Sequence, residues 1–257
     1  VDLIWNGGIG TYVKATSESH AEVGDRGSEP LRVNGKDLKA KIIGEGGNLG
    51  ATQRGRIEYA MNGGRVNTDF VDNVGGVTCS DNEVNIKILL NTLVAGGDLT
   101  LKQRNKLLLD MTEDVAAIVI KDCYRQTQSI SISSLLGAEQ LKEYTRFIHT
   151  LEKDGKLNRE LEFLPSDDEL AERMAKGQGL TRPELSILTA YGKMVLKERL
   201  VLPEIYENAY FKRQLFANFP QMLQDKYAAE MENHPLKAEI IATKLANMLV
   251  NEMGPNF

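Results

Sequence analysis

The sequence is short of most residue patterns that reveal a function by themselves. It has only two cysteines, Cys79 and Cys123, far apart and without a CxxC partner. That argues against a disulfide framework and a cysteine-based zinc site, and it suits a reducing, cytoplasmic setting. The three histidines, His20, His149 and His234, lack metal-ligand spacing and read as surface residues. No apolar run nears the roughly 20 residues needed to cross a bilayer, so no membrane partner is expected. No basic leader precedes Val1-Asp2-Leu3, so no signal peptide is expected. The net charge is -5 and no basic patch is interleaved with aromatics, so no nucleic-acid partner is expected either. An initiator methionine is also missing. The chain opens in what reads as mid-strand, as a piece of a longer polypeptide would.

Two regions stand out. Residues 1–95 are rich in glycine and hold short β-type runs at 1–5, 40–44 and 66–72. Apolar runs without alternation are the mark of strands buried on both faces, as in a parallel sheet covered by helices. Residues 52–62, "TQRGRIEYAMN", have helical spacing, with Ile57, Tyr59, Ala60 and Met61 able to face a sheet and Asn62-Gly63-Gly64 ending the helix. Residues 40–72 therefore read as one βαβ unit. Residues 14–37 are polar and read as a surface connection with one short helix. Residues 96–257 read as helical throughout. Thr100 starts one long amphipathic helix over 100–132, and Gly155 ends another that begins near Gly137. Ser166 with Glu169 and Thr181 with Glu184 have capping-box spacing. Two more helices are expected at 204–219 and 235–252.

Three glycine-bearing loops follow the three expected strands, at the sheet edge where open α/β folds bind ligands. The first, Asn6-Gly7-Gly8-Ile9-Gly10, fails as a dinucleotide fingerprint. The third glycine position is Val13, no long helix follows, and no second strand carries an acidic partner. The second is "GEGGNLGATQ", residues 44–53. The third is "DNVGGVTCSDNE", residues 72–83, where Ser80 and Glu83 have capping-box spacing. Each loop alone has a structural explanation. Three on one edge suggest a ligand.

The stretches "IIGEGGNLGATQ" and "DFVDNVGGVTCSDNE" resemble the second half of the nucleotide-binding domain of glutamate dehydrogenases. Small members carry Glu-Gly-Ala-Asn and Asn-Ala-Gly-Gly-Val-x-x-Ser. Here these are Glu45-Gly46-Gly47-Asn48 and Asn73-Val74-Gly75-Gly76-Val77-Thr78-Cys79-Ser80, at matching separation. "VDLIWNGGIGTYVK" and "CSDNEVNIKILLN" resemble the large NAD-specific bacterial branch. The resemblance implies an α/β fold: the second half of a Rossmann-type NAD-binding domain at 1–95, then an all-α helical domain at 96–257. It implies NAD as cofactor, with Asn48 and Asn73 on its nicotinamide-ribose side and Gly47, Asn6, Gly7 and Gly8 flanking them. It implies that Ser80 bonds the substrate's γ-carboxylate and that Val77 lines its aliphatic pocket. L-glutamate and 2-oxoglutarate would be the reactants. The family's catalytic lysine and aspartate lie upstream, so no catalytic residue and no metal is nominated and the chain alone is expected to be inactive. The rest of the polypeptide and a homo-oligomer are the expected partners. A helical regulatory or oligomerisation module and another amino-acid dehydrogenase remain alternatives.

Overall fold

The computed structural model describes residues 1–256. In chain order its elements are β1 (Leu3–Asn6), β2 (Val13–Lys14), α1 (His20–Val23), β3 (Val33–Asn34), β4 (Ile42–Glu45), α2 (Gln53–Met61), α3 (Asp69–Asp72), α4 (Val74–Gly96), α5 (Leu101–Asp110), α6 (Thr112–Leu135), α7 (Gly137–Lys153), α8 (Asp167–Ala175), α9 (Arg182–Leu200), α10 (Pro203–Tyr206), α11 (Ala209–Phe216), α12 (Gln221–Glu232) and α13 (Lys237–Met253). The fold is mostly helical, with short strands. Two compact units form, one from Val1–Asn73, Thr127–Gly192 and residues 251–256, the other from Val74–Gln126 and Lys193–Val250.

In the first unit β1 and β4 pair in parallel, with Leu3 opposite Ile42 and Asn6 opposite Glu45. Helix α2 follows β4, capped by the Thr52 side chain on the Gly55 N–H. The chain then returns for a single parallel bridge from Arg65 to Ile42. Ile43, Tyr59 and Val66 pack as a small core beneath these strands. Residues 66–72 do not extend that bridge into the expected strand, because Asp69–Asp72 coils into α3. The apolar run there is cut by two aspartates that grip the neighbouring loop. β1 is not buried on both faces either. Among the described residues only β4 pairs with it, and Leu3 and Trp5 are 51% and 61% exposed. Of the α2 face named above, Tyr59 is buried while Met61 points to solvent.

The segment at 14–37 is more than a surface connection. Val13–Lys14 pairs in parallel with Val33–Asn34, and Lys14 and Arg32 are buried. Lys14 Nζ donates to Asn34 Oδ1 (2.7 Å) and Arg32 Nε to the Thr11 carbonyl (2.8 Å). Each buried cation thus has a partner, as burial demands. The helices α7 and α8 bury Leu141, Tyr144, Ile148, Leu151 and Leu170. α8 starts with the Ser166–Glu169 capping box, and Thr181 N–H and Oγ1 both donate to Glu184 at the start of α9.

In the second unit α4, α5, α6, α11, α12 and α13 enclose one apolar core that includes Leu89, Leu90, Met111, Leu215, Phe219, Leu223 and Ile241. Three expectations fail here. The helix expected at 100–132 is two helices, broken at Met111, where the Thr112 hydroxyl turns back to the Leu109 carbonyl (2.9 Å) and Glu113 and Asp114 open α6. The apolar period runs through this break, so periodicity alone hides it. The helix expected at 204–219 is also two, because the Asn208 side chain caps α11 on the Tyr210 N–H; α12 comes in addition. His234 is buried, not at the surface. Its Nε2 lies 3.1 Å from the Asn85 carbonyl oxygen and its Nδ1 receives the Leu236 N–H at 3.1 Å.

Candidate functional site

Parallel pairing carries β1 and β4 to the same edge, so the loops after Asn6 and Glu45 emerge side by side. The Gly47 N–H donates to the Asn6 carbonyl (2.9 Å). A Cβ at position 47 would overlap the Gly8 carbonyl oxygen, so the two loops touch backbone to backbone. The Trp5 indole lies across β4, and a Cβ at Gly44 or Gly46 would come within 2.6 Å of its ring. Asn6 Nδ2 is buried and has no hydrogen-bond partner among the described residues. Asn73, where α3 ends, donates from its side-chain amide to Asn48 Oδ1. The six residues Asn6, Gly7, Gly8, Gly47, Asn48 and Asn73 thus belong to one loop cluster of the first unit.

Sequence reasoning missed what holds this cluster. Glu45 is fully buried and Arg56 nearly so, and the guanidinium grips both carboxylate oxygens, at 2.7 and 2.9 Å. Glu45 Oε1 also accepts the Ala51 N–H (3.0 Å), Asp69 Oδ2 the Leu49 N–H (2.7 Å), and Asp72 Oδ2 the Glu45 N–H (3.0 Å). Arg56 reaches Asp69 at 3.4 Å as well. Three carboxylates therefore clamp the N–H groups of the loop that carries Gly47 and Asn48. Leu49 takes a left-handed conformation, φ 58°, one that non-glycine residues hold only when the surroundings impose it. Asn67 supports Asp72 (2.8 Å) and is itself held by Arg182 (3.0 Å). Burial pushes the Asp72 carboxyl up, against the pull of Asn67 and the Glu45 N–H. The signal available in the sequence was a strand-ending glutamate followed by an arginine on the next helix.

Val77 and Ser80 lie in the second unit, and here the sequence expectation needs correcting. α4 begins at Val74, so Ser80 and Glu83 are inside the helix and form no capping box. Their spacing does put Val77 and Ser80 on one helical face. Both are exposed, and the Ser80 hydroxyl has no partner among the described residues. Glu83 instead pairs with Lys87 at 2.9 Å. Asn82, one turn on from Thr78, donates to its carbonyl (2.8 Å), and its buried Oδ1 has no partner among the described residues. Lys193, in the same unit, is pulled down to about 8 by burial, against Asp122 and Cys123. No group of three His, Cys, Asp or Glu side chains that could hold a metal ion occurs among the described residues.

Residues 1–133 match the family model described as bacterial NAD-glutamate dehydrogenase, catalytic domain. The chain belongs to that family. Residues 177–257 also match the model of the glutamate dehydrogenase C-terminal region. The chain is 54% identical over 257 residues to an NAD-specific glutamate dehydrogenase of Pseudomonas aeruginosa, and 54% identical over 257 residues to one of Halomonas elongata. It is 46% identical over 254 residues to one of Mycobacterium tuberculosis. All or 99% of this chain is covered, and it spans 16% of the length of these relatives. The family-model match at 1–133 takes in the clamped loops and the Val77–Ser80 face together.

Proposed function

We propose that the chain is part of an NAD-dependent glutamate dehydrogenase, which oxidatively deaminates L-glutamate to 2-oxoglutarate and ammonium. The observation that carries this reading is the Asn48–Asn73 contact beside the backbone-tight Asn6-Gly7-Gly8 and Gly46-Gly47 loops, in a chain of this family. We infer that β1, β4 and the Arg65 bridge belong to the second half of a Rossmann-type nucleotide-binding domain at 1–95, followed by a helical domain at 96–257.

The loop cluster fits a dinucleotide in two respects. Side chains are absent where the backbones meet, which leaves room for close approach, and the buried Asn6 amide has hydrogen-bonding capacity to spare. Asn48 and Asn73 would hold the nicotinamide-ribose side of NAD, and Gly7, Gly8 and Gly47 would flank it. The bound cofactor supplies the acceptor for hydride. This chain orients it and keeps the loop rigid, so that little ordering is left for the reaction itself. Ser80 would donate its free hydroxyl to the side-chain carboxylate of glutamate, with Val77 against the methylenes. A hydroxyl placed this way selects substrate by what would otherwise stay unpaired.

The test is steady-state kinetics on the full-length protein that carries this sequence. Asn48→Ala is expected to raise the KM for NAD, and Ser80→Ala to raise the KM for glutamate. For Ser80, facing a carboxylate, the loss expected is about 1.5–3 kcal/mol, or roughly ten- to a hundred-fold, and for Asn48, facing neutral groups, about 0.5–1.5 kcal/mol, or roughly two- to ten-fold. Unchanged glutamate kinetics in Ser80→Ala would remove that residue from the site. A substrate panel in which an apolar amino acid outperforms glutamate would favour another amino-acid dehydrogenase.

A further inference from the structure

A cavity of about 670 Å³ opens in the first unit at the start of β4, the end of the strand opposite the glycine loops. Four cations line it, Lys36, Lys39, Lys41 and Arg65, and no carboxylate does. In a chain of net charge -5 this is a local reversal of sign. Carboxylates offset two of the four only in part. Lys41 pairs with Asp2 at 2.7 Å, but both side chains are about four-fifths exposed, and such pairs contribute little. Lys36 lies near Glu58, whose carboxylate is already taken by Thr16 and by the Lys36 N–H. Lys39 and Arg65 have no ion pair and no side-chain hydrogen bond among the described residues, and Arg182 adds like charge near Arg65. The C-terminal end of α2 attracts cations in its own right. Its last carbonyls, however, are already bonded by the N–H groups of Asn62, Gly63 and Gly64.

We propose that this cavity binds a polyphosphate group, either free pyrophosphate or the phosphates of a nucleotide. The volume is that of a small-ligand site. Four cations call for a ligand of several negative charges, and an arginine fork beside lysine point charges suits phosphate oxygens. The one aromatic in the lining, Tyr59, is buried, with its hydroxyl bonded to the Ala40 carbonyl (2.7 Å). No platform for stacking nucleic-acid bases is therefore present in this cavity. Backbone N–H groups at the Gly63-Gly64 turn are already used, so recognition is by side chains and is sensitive to salt. The site is independent of the reading given under the proposed function.

The experiment is isothermal titration of the full-length protein with inorganic pyrophosphate, and separately with a nucleoside triphosphate, at low ionic strength. Lys39→Ala, Arg65→Ala and the double variant are compared with Lys102→Ala on α5. Arg65 pairs with β4 only through its backbone, so these side chains can be removed without breaking the strand. Saturable pyrophosphate binding that weakens about tenfold or more in the double variant, and not in Lys102→Ala, supports the site. Nucleotide binding with the same dependence shows that the phosphates are what is read in both ligands, and nucleotide binding without it shows that free pyrophosphate is the ligand. No saturable pyrophosphate binding, or binding indifferent to the double variant, overturns the proposal. So does single-stranded RNA whose binding needs Lys39 and Arg65 when pyrophosphate does not.

Discussion

Glu45 and Arg56 form the most fully buried ion pair near the loop cluster, at 0% and 4% side-chain exposure. A buried pair is not by itself stabilising, because desolvation opposes the attraction. Removing one member is another matter, since the survivor keeps the desolvation cost alone. Arg56→Ala is expected to destabilise the protein by about 3–5 kcal/mol, read as a lower midpoint in urea. The double variant Glu45→Gln/Arg56→Met is expected to lose less than Arg56→Ala, and equal losses would show that the pair does not act as a coupled unit. Arg56→Lys keeps the charge and loses the fork, so it should loosen the loop more than it unfolds the chain. At Gly47 the residue scale also explains a departure from the small enzymes. The alanine they carry at this position would collide here with the backbone carbonyl of Gly8, so position 47 needs glycine in this loop arrangement.

At the scale of elements, part of the fold was legible and the failures have distinct physical causes. Some caps were legible, as at Thr100, Ser166 and Thr181, but the Ser80–Glu83 box does not form and the Asn208 cap was not foreseen. Asn48 and Asn73 were paired from their motifs, and the structure brings their amides together. Breaks inside a continuous apolar period were not legible, because Met111 keeps the helical period of Leu107, Leu108 and Val115 and only the Thr112 turn betrays the stop. The carboxylate clamp was invisible for a different reason. It depends on Asp69 and Asp72 folding back on a loop some twenty residues earlier in the chain, and no local pattern records that. His234 shows a third limit, since burial is decided by α4 and the turn into α13. Its ring must donate from Nε2 to the Asn85 carbonyl, which leaves Nδ1 to accept from Leu236. Burial lowers its pKa from the ordinary 6.5, against the Asn85 contact and Glu239. The folded state therefore binds this proton less readily than the unfolded chain. Stability from this group is full above the unfolded value and falls as pH drops through the folded one. Thermal melts from about pH 7 down to 5 should show a loss in the wild type that His234→Gln reduces. An identical pH slope in both proteins would assign the loss to other groups.

At the scale of the whole molecule, the chain spans 16% of the length of its relatives, and it carries exposed apolar side chains on β1. β1 presents Leu3 and Trp5 to solvent and, among the described residues, has no strand on its outer side. An unpaired apolar edge is a template for pairing with another chain. On the proposed reading the catalytic lysine and aspartate belong to the part of the relatives that this chain does not span, so the 257-residue chain alone is expected to form no NADH from glutamate, checked by absorbance at constant NAD. Its association behaviour should be more revealing. Expressed alone, the chain is expected to self-associate through β1, where parallel or antiparallel addition of a second copy would satisfy the free backbone groups. Trp5→Lys places a charge on that edge, the device by which natural sheets discourage edge pairing. Light scattering over a concentration series should then show a lower mean mass for Trp5→Lys than for the wild type. Because Trp5 is the single tryptophan of the chain, its fluorescence in the wild type gives a second reading of the same event. Acrylamide should quench it strongly at low concentration and less as association covers the indole. Concentration-independent quenching together with an unchanged mass in Trp5→Lys would mean that the edge does not drive self-association.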